Sequence, residues 1–259
     1  MSWLAHNGKR YWFWEPWLPV SPPWIYHNER LGLISMSADW NTWYTIMDKN
    51  LWATTVFNTG DTLSEANCWN YFQWWNNYGF AWTGAVTTSN TKVDASTYWP
   101  WNHYSSSTFI TVSESPYDWS SVQNDNLWWW VTGTNEAMQW PAPTWYHIPS
   151  KDERVTLCSI LTSTFWLTGN TDTMESVLKM PRAGYRHYSS AGVYYQGTYA
   201  NYWSSTAYTA DTAYSLFFYS AGLSPQGGSG RSFGLSVRCF KDTPVIPTGK
   251  WKVLYRGSL

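Results

Sequence analysis

Apolar residues in this chain come in short runs broken by turn-forming residues, and their spacing switches between the two regular periods. Leu31–Met36 and Trp43–Met47 are apolar and partly β-branched, which predicts two strands, with Ala38-Asp39-Trp40-Asn41 as the turn between them. Asn58-Thr59-Gly60-Asp61 is a further turn signal. Thr62-Leu63-Ser64-Glu65 has the spacing of a capping box and predicts a helix over 62–75. Ser150-Lys151-Asp152-Glu153 has the same spacing. The apolar Val155, Leu157, Cys158 and Leu161 follow it mostly three or four apart, which predicts a helix over 150–163. A helical turn is expected over Thr173–Lys179, ahead of Pro181.

From Tyr185 onward the pattern becomes β. Asn201–Thr206, Ala213–Tyr219 and Ser232–Phe240 read as strands, with Gly227-Gly228-Ser229-Gly230 as the turn joining the last two. Two main helices with antiparallel strands make an α+β fold. Pro16, Pro19, Pro22 and Pro23 lack the backbone donor that regular structure uses, so residues 1–30 are expected to form an irregular arm. Residues 83–126 are rich in Ser, Thr and Asn but keep many aromatic residues, which predicts a long ordered loop region rather than a linker. The domain is expected to span 31–242. Thr243-Pro-Val-Ile-Pro-Thr-Gly249 reads as a linker, with 251–255 as the possible start of another module.

Charge narrows the function classes. The net charge is −1 and 13% of the residues are charged, so the basic field that a nucleic-acid binder needs is missing. No apolar run approaches the length of a bilayer span, so membrane insertion is not expected. Met1–His6 has neither a basic nor a cleanly apolar segment of an export signal. Three cysteines, Cys68, Cys158 and Cys239, allow one disulfide at most and have no metal-ligand spacing, so no cofactor is expected. Asn124-Asp125-Asn126 offers oxygen ligands in a loop, the raw material of a calcium site, although such a run more often forms a turn.

The tryptophans are unevenly placed. Twenty of the 23 lie in residues 1–145, whereas 11 of the 17 glycines lie in 146–259. One core does not call for such a break.

Five segments, taken together, resemble the Fibrobacter succinogenes major paralogous domain family, which has a C-type-lectin-like or formylglycine-generating-enzyme-like fold. They are Tyr44-Thr-Ile-Met-Asp-Lys-Asn-Leu51, Tyr71-Phe-Gln-Trp74, Tyr146-His-Ile-Pro-Ser-Lys-Asp-Glu153, Tyr202-Trp-Ser-Ser-Thr206 and Gly234-Leu-Ser-Val-Arg-Cys239. The resemblance covers residues 31–242. It implies a C-type-lectin-like fold and a bacterial surface or secreted location, as part of a longer exported protein. Trp203 and Val237 are expected in the core, and Arg238 beside a carboxylate. Ala142-Pro-Thr-Trp-Tyr-His147 departs from the family pattern, and the cysteine that would pair with Cys239 is missing there. Trp52, Trp75, Trp145, Trp129 and Trp130 stand where the pattern has glycine. Some bacterial lineages read the codon UGA as glycine. A gene of that kind decoded with UGA as tryptophan would show this asymmetry, and its former glycine sites would keep backbone shapes that favour glycine. Natural enrichment of tryptophan for stacking on sugars is the alternative.

The function expected from these features is non-catalytic, adhesin-type ligand binding to an unknown protein or glycan on another cell. The stretch Tyr185–Arg231 combines tyrosines with small residues, as binding surfaces do. Tyr194, Tyr195, Tyr199, Tyr208 and Arg231 are the expected contact residues. A sharper form of this reading is a variable protein diversified by a retroelement, since such proteins share the fold. Two alternatives are a calcium-dependent carbohydrate-binding lectin and a formylglycine-generating-like enzyme, whose chemistry uses a pair of cysteines in a groove.

Overall fold

A computed structural model describes residues 2–6, 9–13, 24–38, 42–98, 104–125, 128, 141–164, 171–242, 244 and 252–256. Its largest sheet has six strands, in the order Lys252–Arg256, Trp24–Asn28, Leu33–Ser37, Trp43–Met47, Phe240–Lys241, Tyr146–His147, with every neighbouring pair antiparallel. Leu33–Ser37 is flanked on both sides and every residue in it is buried. Ile34 pairs with Ile46, and Ile46 with Phe240, so one row of apolar side chains crosses the sheet. The apolar runs predicted around 31–36 and 43–47 are these strands. Residues 39–41 of the expected turn between them lie outside the described residues.

A second sheet of three strands is built by Tyr199–Ala207, Thr212–Tyr219 and Gly222–Gly230. The helix Lys151–Ser159 packs against this sheet, and its Leu157 and Cys158 share one core with Ile25, Ile34, Met36 and Ile46 of the large sheet and Tyr202, Leu216 and Phe218 of the small one. The helix starts where the sequence indicates. Ser150 accepts from the Glu153 N–H at 3.3 Å, and the Glu153 carboxylate accepts from the Ser150 N–H at 2.8 Å. It continues into a π-helical turn, Ile160–Thr164, where the Thr162 hydroxyl donates to the Cys158 carbonyl at 2.8 Å. A short helix follows at Thr171–Ser176. Few helices and mostly antiparallel strands make the fold α+β, as expected.

A second core gathers Phe72, Trp74, Trp119, Trp203, Leu235 and Val237. Trp203 and Val237 are buried there, as the sequence predicts, and the Trp203 indole donates to the Phe72 carbonyl at 2.6 Å.

Five local expectations are corrected. The helix expected over 62–75 is a single turn, Glu65–Cys68, capped by Ser64, whose N–H donates to the Asn67 side chain at 2.9 Å. Trp69 ends it with φ 51° and ψ −157°, and Phe72–Gln73 then joins a sheet through Gly234–Leu235. The glycine-rich segment 227–230 is strand, not turn; Ser220-Ala221 is the turn. Its glycines leave room for overlying rings, since a Cβ at Gly228 would lie 2.9 Å from the Tyr208 ring. Ser232–Phe240 holds only the pairs Gly234–Leu235 and, at its end, Phe240–Lys241; between them Ser236 makes a single bridge to Tyr202 of the strand Tyr199–Ala207. The N-terminal arm is not irregular throughout. Ser2–His6 pairs with Lys9–Phe13, and Trp24–Asn28 pairs with Leu33–Ser37. The stretch expected to be a linker or further module after residue 242 supplies Lys252–Arg256 to the large sheet. The four prolines themselves lie outside the described residues.

Candidate functional site

The expected contact residues divide into three groups. Tyr194, Tyr195 and Tyr199 come together. Tyr194 and Tyr195 are 45% and 50% exposed. Tyr199, expected to be exposed, is half-buried because it begins a strand and packs on three neighbouring rings: Tyr195 at 4.7 Å, Phe217 at 5.3 Å and Tyr219 at 5.6 Å between centroids. Tyr208 is also exposed but stands past the other end of the same nine-residue strand, about 30 Å away at the usual rise per residue. It pairs with Tyr214 at 4.6 Å.

Arg231 is a clear correction. It was expected at the surface, and it is fully buried. Its guanidinium lies 4.6 Å from the Trp74 ring and 4.9 Å from Trp75. It donates to Asp118 at 3.2 Å, to Asp125 at 2.5 Å and to the Thr209 carbonyl at 2.7 Å. Two carboxylates and the Trp74 indole draw it inward, so the turn geometry assumed for its solvent access does not exist. Arg238 is likewise buried, but with no carboxylate among its hydrogen-bond acceptors. It donates to the Asn50 side chain and to the carbonyls of Met47, Leu178 and Lys179.

The tyrosine cluster extends further than the sequence suggested. Tyr185 pairs across the strands with Tyr194, and its ring reaches Tyr195 at 5.7 Å and Phe233 at 5.4 Å. Phe233 meets Tyr188 at 4.8 Å, and Tyr188 meets Tyr117 at 5.0 Å. His187 fills the space between Tyr188 and Tyr194, and burial lowers its imidazole below the usual range. A continuous belt of half-exposed and exposed rings thus runs from Tyr117 to Tyr219. The signal for it was present in two i, i+2 pairs, Tyr185/His187 and Phe217/Tyr219, which place rings on one face of a strand.

The backbone beneath the belt is fixed. Gly184 has φ 75° and lies so close to the 194–196 loop that a Cβ there would meet the Tyr194 carbonyl at 2.2 Å. The N–H groups of Thr198 and Tyr199 both donate to the Tyr195 carbonyl at 3.0 Å. Tyr195 itself has φ 60°, a conformation that costs a bulky residue energy and that clusters at functional sites. A polar cleft of ≈ 250 Å³, lined in part by Lys92, Thr111, Val112 and Glu114, adjoins the belt where the Val112 N–H donates to the Tyr188 carbonyl.

The chemistry for the two alternatives is weak. All three cysteines are free and buried, and burial pushes each thiol up to about 12. Such thiols are protonated at neutral pH and poor nucleophiles. Asp125 of the suspected calcium loop is held by Arg231, and the Asn124 amide points at the Ala95 carbonyl. Asn126 lies outside the described residues, and among those described no group of three His, Cys, Asp or Glu side chains could hold a metal ion.

A buried histidine ties the helix to the large sheet. His147 Nε2 lies 2.9 Å from Glu153 and Nδ1 lies 2.9 Å from Asp242. Burial pushes the imidazole down, but the bonds and charges of Glu153 and then Asp242 outweigh it and hold it above its ordinary value. A raised folded-state value means the stabilisation is fully present below the ordinary histidine pKa and is lost as pH rises through the folded one. Melting temperature across that window is therefore expected to fall with rising pH in the native chain and to fall less in His147→Gln.

A family model described as a domain of unknown function (DUF8237) matches residues 144–240, which hold the helix and every belt ring except Tyr117. No curated protein and no solved structure matches the chain. Among the described residues, no helix is long and apolar enough to cross a membrane.

Proposed function

We propose that this chain is a non-catalytic binding domain with a C-type-lectin-like fold, of the adhesin type that bacteria display on a surface protein, and that it grips its ligand with the aromatic belt around Tyr194 and Tyr195. The belt is the observation that carries this reading. Tyrosine supplies large contact area with little conformational entropy to lose, and it dominates interface hot spots. The strained Tyr195 and the close Gly184 contact support it, because they hold the rings in place before a ligand arrives.

A protein surface fits the belt better than a sugar. Ring pairs such as Tyr195/Tyr199 and Tyr199/Tyr219 are tilted at 49° and 77°. A tilted neighbour lays its edge against a ring face, which leaves less open face for a sugar to stack on. Sugar stacking needs an open face. Retroelement-driven diversification remains compatible, since rings on a fixed backbone can be exchanged without disturbing the core. The test is to probe the purified domain against arrays of cell-surface proteins and of glycans. Saturable capture of a protein supports the reading, capture of glycans alone moves it to the lectin alternative, and capture by neither array counts against it.

A further inference from the structure

Four of the seven non-glycine residues with positive φ among the described residues are tryptophans: Trp52 (66°), Trp69 (51°), Trp75 (77°) and Trp145 (68°). A bulky side chain in that region is an outlier. Their positions in the fold are just as particular. The Ala53 N–H donates to the Asn50 carbonyl at 2.9 Å, the Asn76 N–H to the Gln73 carbonyl at 2.9 Å, and the Tyr146 N–H to the Pro143 carbonyl at 3.0 Å. Trp52, Trp75 and Trp145 are each the third residue of a hydrogen-bonded four-residue turn. With positive φ there, that site belongs to glycine, the one residue that pays no Cβ penalty. Trp69 follows the last residue of a helix, the usual place of a terminating glycine, and its ψ of −157° lies near a region that is essentially glycine's alone.

The side chains separate in the same way. Trp74, Trp119, Trp128 and Trp203 are buried, the first two and Trp203 without positive φ, and each indole N–H has an acceptor: the Ser204 carbonyl at 2.7 Å, the Trp74 carbonyl at 2.5 Å, the Asn77 side chain at 3.1 Å and the Phe72 carbonyl at 2.6 Å. The indole N–H groups of Trp69 and Trp75 are buried with no partner among the described residues, and Trp52 and Trp145 are 38% and 53% exposed. Trp82 has an unpartnered N–H without positive φ, so the backbone is the sharper criterion.

We propose that positions 52, 69, 75 and 145 are glycine in the protein its source cell makes, encoded by UGA read as glycine, whereas Trp74, Trp119, Trp128 and Trp203 are true tryptophans encoded by UGG. Part of the asymmetry follows from this: with the four sites counted as glycine, residues 1–145 hold 16 tryptophans and 10 glycines instead of 20 and 6. Trp129 and Trp130, also expected at glycine sites, lie outside the described residues. A functional consequence follows as well: the exposed indoles at 52 and 145 are not a sugar-stacking platform, and ligand contact falls to the tyrosine belt.

Two measurements test it. The gene is sequenced at the eight codons. UGA at the first four with UGG at the other four is expected, and UGG at any of the first four overturns the assignment for that position. Independently, the chain as written is compared with Trp52→Gly/Trp145→Gly and with Trp52→Ala/Trp145→Ala. Both pairs remove exposed indoles, but only glycine relieves the positive φ. The glycine pair is expected to melt about 4 °C or more above the alanine pair. Equal melting temperatures, or a lower one for glycine, overturn the proposal.

Discussion

Replacing Arg238 by methionine is expected to destabilise the chain by about 4 kcal/mol or more. Methionine keeps much of the apolar stem and removes the guanidinium. That group donates to the Asn50 side chain at 2.9 Å and to the carbonyls of Met47, Leu178 and Lys179 at 2.9, 2.9 and 2.7 Å. Arg238 is 1% exposed, so water cannot take its place without opening the core. Each orphaned acceptor costs about 1–3 kcal/mol. Four of them amount to about 4 kcal/mol or more, a large part of the roughly 5–15 kcal/mol that holds an ordinary domain together. Urea unfolding followed by tryptophan fluorescence measures this. Arg238→Lys should recover only part of the loss, because an ammonium cannot fork to acceptors on several sides. An unfolding curve within about 1 kcal/mol of the native one would show that the guanidinium is not the clamp described here.

Gly184→Ala is expected to cost about 3 kcal/mol and to damage the belt while leaving the large sheet intact. Two effects add. Alanine at φ 75° pays about 1–2 kcal/mol for its Cβ. The same Cβ would stand 2.2 Å from the Tyr194 carbonyl and 2.8 Å from the Gln196 N–H nitrogen, so backbone must move, at about 1–3 kcal/mol. The part that moves is the loop bearing Tyr194 and Tyr195. Thermal melting reads the stability, and amide exchange should localise the change to residues 182–199. A variant as stable as the native chain would mean the loop adapts freely and does not hold its tyrosines in place.

How far the sequence could be read depended on what each local pattern was competing with. Ser150 and Glu153 stand at the start of a periodic apolar run with no rival geometry, and the helix is where they put it. The capping pattern at Thr62–Glu65 looked equivalent, yet its helix stops after one turn. Gln73 explains why: its amide bonds the Ile110 and Ser232 carbonyls at 2.8 Å each, and the strand it lies on pairs with Gly234–Leu235. Contacts 37 and 159 residues away decide that segment, and no local window contains them. Gly227–Gly230 misled for a related reason. Glycine signals a turn when the chain must reverse, but here it clears space for the Tyr208 ring.

The candidate site was legible in its residue types and not in its geometry. Tyr194 and Tyr195 are exposed as expected, while Arg231, of the type that favours interfaces, is buried between Asp118, Asp125 and the Trp74 indole. Its partners lie roughly a hundred or more residues earlier in the chain, so composition near 231 could not reveal them. Tyr208 shares the segment but not the location.

The most direct test of the belt compares two pairs of tyrosines near opposite ends of the strand Tyr199–Ala207. Tyr194→Ala/Tyr195→Ala removes its exposed centre, and Tyr208→Ala/Tyr214→Ala removes a similar ring pair from the far end. Binding of the protein captured on the array is measured for both by titration calorimetry, with melting curves to confirm folding. The belt reading predicts a loss of about 30-fold or more for the first pair, matching a hot spot of about 2 kcal/mol, and less than about threefold for the second. Equal affinities for the two variants, or a loss confined to the Tyr208/Tyr214 pair, would contradict it.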